Sequence, residues 1–390
     1  MRRLALLSAV LLLTGVTVPA SAHRQVRVPG AEYQQVAHLD DLTTTGTVAS
    51  GHTNPADYAG LTHSGLQTPP SVPGVQIDGY FPDTSRTNSN HGWNHDSQFV
   101  IRLPKKWNGG LVVSGSPGVR AQYANDKAIS DYVLSLGYAY AGTDKGNTGA
   151  AFHTDGVRPG DAIVEWNLRT TQLAKAARAT VAQYYGRAAR EVVAAGISNG
   201  GYLVRWQLEN HPELYTRGVD LEGTLWTAKG PNLFTFLPPA IRGYEQQSPE
   251  LIAKAGFDPR SEFLWDYHYS VYWKLTQRIY AAELDPSYTG TEADYDYASR
   301  PQARKAVQRI ALTGKIGKPL VTIHGTYDSL LPITQDSDVY AAMARRTGLH
   351  TYERVEAGNH VDGLVDAYPD RLVPLVPLLQ QAIAQTSRER

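Results

Sequence analysis

The sequence predicts an α/β protein: a mostly parallel sheet with helices on both faces. Two observations predict it. From residue 75 onward, short apolar stretches alternate with longer amphipathic ones, the order in which crossover helices cover parallel strands. Stretches such as Val192-Val193-Ala194-Ala195 and Leu320-Val321-Thr322-Ile323 are apolar on both faces and too short to be anything but buried strands. The composition permits a core of that size, with 390 residues and 42% hydrophobic side chains. The 37 basic and 37 acidic groups balance, which gives no reason to expect a nucleic-acid or anionic-membrane partner. The absence of cysteine excludes disulfides, a thiolate nucleophile, iron–sulfur clusters and cysteine-ligated zinc.

Arg2 and Arg3 precede an apolar run from Leu4 to Leu13, and Val18-Pro19-Ala20-Ser21-Ala22 follows. A basic start, a short apolar stretch and small residues at an A-x-A site make residues 1–22 a secretory signal peptide, cleaved after Ala22. The run is too short for a membrane anchor, and no later segment reaches ~20 continuous apolar residues. A secreted, soluble chain is expected, held by its core rather than by disulfides. Residues 23–74 are polar and rich in Thr, Gly and Pro, and are expected to form an extended arm without a core of its own.

Strands are predicted at Val75–Phe81, Gln98–Leu103, Leu111–Val113 and Tyr138–Gly142, with a helical stretch at about 120–136. In 161–185, Ile163, Trp166, Leu173, Ala177, Val181 and Tyr184 recur at helical spacing, with Gly186 at the stop. Strand 191–195, helix 200–210 and strand 219–225 come next. Residues 227–300 break the alternation. They hold 14 of the chain's 37 aromatic residues, with four prolines between Pro231 and Pro249. So long an interval is expected to be a helical insertion, an aromatic-rich lid dividing a core made of 75–226 and 301–390. Strand 320–323, helix 334–346, strand 351–355 and helix 361–385 complete the core.

The chemistry centres on Gly196-Ile197-Ser198-Asn199-Gly200, a G-x-S-x-G between a buried strand and a helix. A serine on such a turn is pushed out of the sheet edge, and its small neighbours allow the backbones to crowd together. The helix that starts there aims its first amides at developing negative charge. A serine needs a base, and that base should be a histidine late in the chain, with an orienting carboxylate before it. His360 stands in a glycine turn after the last strand, and Asp328 follows an apolar strand. Rival acids are Asp220, Glu222, Asp336 and Asp338. The oxyanion donors should be the amide of Asn199 and one from Ser114-Gly115-Ser116-Pro117-Gly118. There Ser116 is the first candidate and Gly118 the second, because Pro117 has no amide. Asp144 reads as a structural turn residue. His91 and His95 lie in a Gly- and Asn-rich loop, so no metal site is expected from them.

With Ser198, Asp328 and His360 in that order around the G-x-S-x-G elbow, residues 75–386 resemble the α/β-hydrolases. Ser114-Gly115-Ser116-Pro117-Gly118 is similar to the His-Gly-x-Pro-Gly loop of many members, with Ser114 where histidine is usual, and the superfamily's second oxyanion amide maps onto Ser116. Gly137–Gly146 and Gly196–Gly201 resemble the tannase and feruloyl esterase group and the 3-hydroxybutyrate-oligomer hydrolases. The large disulfide-bonded, often calcium-binding lid of tannases has no counterpart in a chain without cysteine or calcium-loop spacing.

The expected activity is that of a secreted serine esterase acting through an acyl-enzyme, with no cofactor and a small-molecule or oligomeric ester as substrate. The resemblance, not the triad, favours esters over amides. A prolyl-type aminopeptidase on the same fold and a non-catalytic binding protein are the alternatives. Trp265, Tyr269, Tyr272 and Trp273 are expected to include side chains that face the pocket from the insertion.

Overall fold

A computed structural model describes residues 26–83, 89–90 and 93–385. The proposed leader and His91 lie outside the described residues. The main sheet has nine strands: β1 (Tyr33–Leu39), β2 (Gly74–Tyr80), β3 (Gln98–Pro104), β4 (Gly110–Gly115), β5 (Ala139–Thr143), β6 (Glu191–Ile197), β7 (Arg217–Leu221), β8 (Leu320–Gly325) and β9 (His350–Val355). Their spatial order is β1-β2-β3-β5-β4-β6-β7-β8-β9. Strands β1, β2, β3 and β5 pair antiparallel, and every pair from β5 to β9 is parallel.

Alternation along the central strands feeds two cores. Leu111, Val113, Val192 and Ala194 point to one, beneath the helices α1 (Asp161–Tyr185) and α2 (Asn199–Asn210). Val112, Val193, Ala195, Val219 and Ile323 point to the other. Helix α1 buries Ile163, Trp166, Leu173, Ala177 and Val181 and stops at Gly186, whose φ of 70° is the left-handed value that glycine adopts at a helix end. Residues 227–300 contain α3 (Leu233–Glu245) and α4 (Lys274–Leu284) and lie between β7 and β8. The chain continues through α5 (Ser337–Ala344) to α6 (Val376–Ala384).

Three expectations change. The N-terminal stretch is not merely an extended arm: β1 pairs along its length with β2, and Leu42 is fully buried. Thr44 is tied to Asp131 by its amide (2.8 Å) and hydroxyl (2.6 Å). The last predicted helix is broken. Only Asp362–Asp366 and Val376–Ala384 are helical, because Pro369 and Pro374 remove donors and fix φ. The Asp362 carboxylate instead accepts the Leu375 and Val376 amides at 2.7 and 2.8 Å. Between 120 and 136 the regular helix is short, with a wide turn at Asp126–Ser130 leading into Asp131–Ser135.

A buried ion cluster joins α2 to the sheet. The Arg205 guanidinium donates to Asp220 (2.6 Å), Asp336 (2.9 Å) and the Ser337 hydroxyl (2.8 Å). Its side chain and that of Asp220 are fully buried. Arg205→Met is expected to cost about 3–5 kcal/mol, since it leaves two carboxylates buried without their cation. A urea or thermal unfolding curve checks this, and a change below about 1 kcal/mol would mean that the cluster contributes little.

Candidate active site

Ser198 sits between β6 and α2 with φ 57° and ψ −120°, a strained conformation for a residue with a side chain. Crowding around it explains the flanking glycines. A Cβ on Gly196 would lie 2.3 Å from the Gly200 carbonyl, and one on Gly200 would lie 2.5 Å from the Gly115 carbonyl oxygen. The strand end, the helix start and the β4 loop can therefore meet only with glycine at both places.

The Ser198 hydroxyl donates to His360 Nε2 at 3.0 Å, and His360 Nδ1–H donates to Asp328 Oδ2 at 2.7 Å. Asp328 Oδ1 accepts the amides of Leu330 (2.8 Å) and Leu331 (2.7 Å), which fixes the carboxylate's plane. His324 Nε2 lies 3.0 Å from the same Oδ2 as His360. Burial pushes the Asp328 pKa up, but the His360 charge and the hydrogen bonds from both histidines outweigh it and hold it well below the ordinary value.

The rival acids separate. Asp220 and Asp336 belong to the Arg205 cluster, and Asp338 pairs with Arg354. Glu222 alone approaches the site. It leaves β7 with φ 51°, its Oε1 accepts the Gly325 amide at 3.1 Å, and its Oε2 lies 3.6 Å from His360 Nδ1. Burial, reinforced by the Asp328 charge, raises the Glu222 pKa well above the ordinary value, which favours a neutral acid beside an ionised one. Glu222, His324 and Asp328 place donor atoms within 4.8 Å of one another, and those atoms are taken up by the hydrogen bonds just described.

The oxyanion donors need one correction. Asn199 is the first residue of α2, where an amide has no acceptor within the helix. The Ser116 amide, however, donates to the Thr143 carbonyl at 3.0 Å, because the β4–β5 ladder runs one residue past the strand. The Ser116 hydroxyl is also committed, donating to the Arg120 carbonyl and accepting from Lys145 Nζ, both at 2.6 Å. Gly118 takes its place as the candidate. It lines the same cavity as Ser198, and its amide donates to no other group among the described residues. Asn199 Nδ2 holds the Gly118 carbonyl at 3.0 Å and the Tyr280 hydroxyl at 2.6 Å, so the elbow and the loop are tied together. Lys145 is fully buried, 5.0 Å from the Trp166 ring centre. Burial lowers its pKa to about 7 against the pull of Asp144. Asp144 is structural, accepting the Gln98 amide at 2.9 Å and the Gly146 amide at 2.7 Å.

A cavity of about 210 Å³ opens on Ser198 and His360. Of the four aromatics singled out, Tyr272 lines it. Trp265, Tyr269 and Trp273 do not. Trp273 is fully buried and donates to the Ser329 carbonyl at 2.7 Å. Tyr269 stacks on Tyr244 at 4.0 Å. Trp265 is buried, its indole N–H on Ser261 at 3.1 Å. The segment is not one regular helix: a wide turn at Tyr269–Trp273 separates Trp265–His268 from α4 and breaks the 3.6-residue phase between them, and the cavity is lined by Tyr272, Leu275, Thr276, Ile279 and Tyr280. Leu61, from the N-terminal stretch, also lines the cavity. Of the two loop histidines, His95 stacks on Tyr80 with ring centres 3.8 Å apart.

Two family models match parts of the chain: the 3HB-oligomer hydrolase family over residues 280–387 and the prolyl oligopeptidase family over 132–228. The chain is 33% identical over 122 residues to the D-(-)-3-hydroxybutyrate oligomer hydrolase of Cupriavidus necator, a match covering 26% of this chain and only 17% of that relative's length. Among solved structures, feruloyl esterase B from Aspergillus oryzae aligns with a TM-score of 0.59 at 12% identity, over 86% of this chain and 81% of its own. An esterase from Aspergillus oryzae aligns with a TM-score of 0.57 at 12% identity, over 92% and 88%. The mostly parallel sheet flanked by helices, the strand–serine–helix elbow and these two alignments show that the chain has the α/β-hydrolase fold.

Proposed function

We propose that this chain is a secreted hydrolase of carboxylic esters that works through an acyl-enzyme on Ser198. The observation that carries the reading is the unbroken hydrogen-bonded line from Ser198 through His360 to Asp328. Ser198 Oγ attacks the ester carbonyl while its proton passes to His360 Nε2. The amides of Asn199 and Gly118 receive the oxyanion. The tetrahedral intermediate collapses as His360 returns the proton to the leaving alkoxide. Water then attacks the acyl group, losing its proton to His360, and Ser198 leaves reprotonated with release of the acid. Asp328 orients the imidazole and stabilises its cation throughout. Secretion is supported by the leader-like pattern of residues 1–22, and the N-terminal residue of the exported protein tests it.

Among the described residues no Asp or Glu lines the cavity, which speaks against a peptidase that must hold a substrate's amine. The cavity is smaller than the ~300–1,000 Å³ usual for drug-sized ligands, and its aliphatic wall favours short acyl groups over feruloyl or galloyl ones. Hydroxybutyrate oligomers, the substrate in the relative's name, head the panel. Short p-nitrophenyl esters, feruloyl and galloyl esters and aminoacyl amides complete it. Turnover of the amides without the esters would reverse the reading. A fluorophosphonate probe should label Ser198, and an unlabelled protein would point to a binding protein.

The pH dependence has a definite sign. A neutral imidazole accepts the serine proton and a protonated one cannot, so kcat/KM should fall with acidification. A kcat/KM that stays constant on acidification until the protein unfolds would exclude histidine as the base.

A further inference from the structure

We propose that Arg120 forms an anion subsite in the wall of the Ser198 cavity, where it takes a carboxylate carried by the ester substrate. The inference rests on the ester-hydrolase reading above. The wall is mostly aliphatic, with Leu61, Ile197, Leu233, Leu275 and Ile279. Among the described residues, Arg120 is the one lining side chain, apart from His360, that belongs to Lys, Arg, His, Asp or Glu. Its guanidinium is poorly matched from within the protein. Nη1 donates to the Asp57 carbonyl at 3.3 Å, a long bond to a neutral group. Among the described residues no carboxylate forms an ion pair with it, whereas Arg102, Arg205 and Arg217 each have one. A guanidinium has five N–H donors in a planar fork that fits a carboxylate.

Its position relative to the chemistry is fixed. The Arg120 amide donates to the Pro117 carbonyl at 3.2 Å, and its own carbonyl accepts from Ser116 Oγ, which Lys145 holds in turn. The same tight loop therefore carries the oxyanion candidate Gly118 and the cation two residues later. Their backbones are at most about 7 Å apart, so the bound carboxylate would sit a short spacer from the scissile carbonyl. The charge is felt across the cavity: burial pushes the Tyr272 phenol up to about 12, Tyr267 adds to the shift and Arg120 opposes it. An apolar wall around one cation suits a short aliphatic ester with a free acid at one end. It excludes nothing larger on the open side.

The acid could belong to the acyl part or to the alcohol part, and paired substrates separate the two. Monoethyl succinate against diethyl succinate tests the acyl side. 3-Acetoxybutyrate against its methyl ester tests the alcohol side. The readout is the ratio of kcat/KM for the acid to that for its neutral partner. In the wild type one pair should show a ratio above one, lowered by added salt. Arg120→Gln should reduce that ratio by about 10- to 100-fold, and Arg120→Lys should restore part of it. If Arg120 only staples the loop to Asp57, both members of a pair lose rate together and the ratio stays put, which overturns the proposal. Ratios at or below one for both wild-type pairs also overturn it. Should Arg120→Gln fail to fold, Arg120→Lys and the salt series on the wild type decide the matter. Turnover of the neutral esters with no acid preference removes the subsite alone. No turnover of any ester removes the hydrolase reading, and the subsite with it.

Discussion

Ser198→Ala should lower ester turnover by roughly three to six orders of magnitude and leave the fold in place. The Ser198 side chain makes one hydrogen bond, to His360 Nε2, so its loss should cost the native state only about 1 kcal/mol. The strain at φ 57° is a backbone property that alanine shares with serine, and the elbow stays anchored by the Ser198 amide on the Leu221 carbonyl at 2.9 Å. The Asn199 and Gly118 amides would remain, so slow residual hydrolysis by water is compatible with the assignment. The measurement is kcat on a responsive ester beside a thermal melt and fluorophosphonate labelling. A pure variant with wild-type kinetics would remove Ser198 from the mechanism. A variant that has lost both activity and its melting transition would say nothing about the nucleophile, and Ser198→Gly would then replace it.

What the sequence made legible follows from which signals are local. The elbow is local: its glycines answer to contacts between residues four apart and to one neighbouring loop, and the pattern declares them. The order of Ser198, Asp328 and His360 was readable because each follows a strand, and strand ends on one edge of a parallel sheet converge. The Ser116 amide was misread because its fate depends on how far the β4–β5 register extends, which neither strand's own sequence states. Which of the insertion's four aromatics would face the cavity was not legible for a related reason. The wide turn at Tyr269–Trp273 breaks the helical phase before α4, and aromatic content alone does not say which side chains meet the cavity and which meet the insertion's own core. Leu61 was invisible, since an isolated apolar residue in a polar, proline-rich stretch carries no periodicity. Glu222 was only one of four rival acids in the sequence. Only the early end of β7 at Leu221 and the positive φ that follows turn it toward His360.

That neighbour gives the Asp328 experiment its force. Asp328→Asn should reduce kcat by about 10³- to 10⁴-fold with a much smaller change in KM. The present geometry dictates how. Oδ1 is held by the amides of Leu330 and Leu331, so the carbonyl oxygen of asparagine must occupy that place, and its NH₂ group then replaces Oδ2 opposite His360 Nδ1. A donor facing Nδ1 makes that nitrogen an acceptor and moves the imidazole proton to Nε2, where it can no longer accept from Ser198. His324 would face the same NH₂, and the pull of its hydrogen bond would be lost. Glu222 Oε2, at 3.6 Å from Nδ1, is close enough to draw the proton back; burial still favours its neutral form, but the Asp328 charge that reinforces burial is gone. Asp328→Ala, which leaves no competing NH₂, should therefore retain more activity than Asp328→Asn, and adding Glu222→Gln should abolish the difference. Glu222→Gln alone should change kcat by less than about tenfold, because Asp328 still orients the imidazole. Equal activities for Asp328→Ala and Asp328→Asn would show that Glu222 does not stand in. A near-wild-type Asp328→Asn beside an inactive Glu222→Gln would transfer the orienting role from the end of β8 to the end of β7.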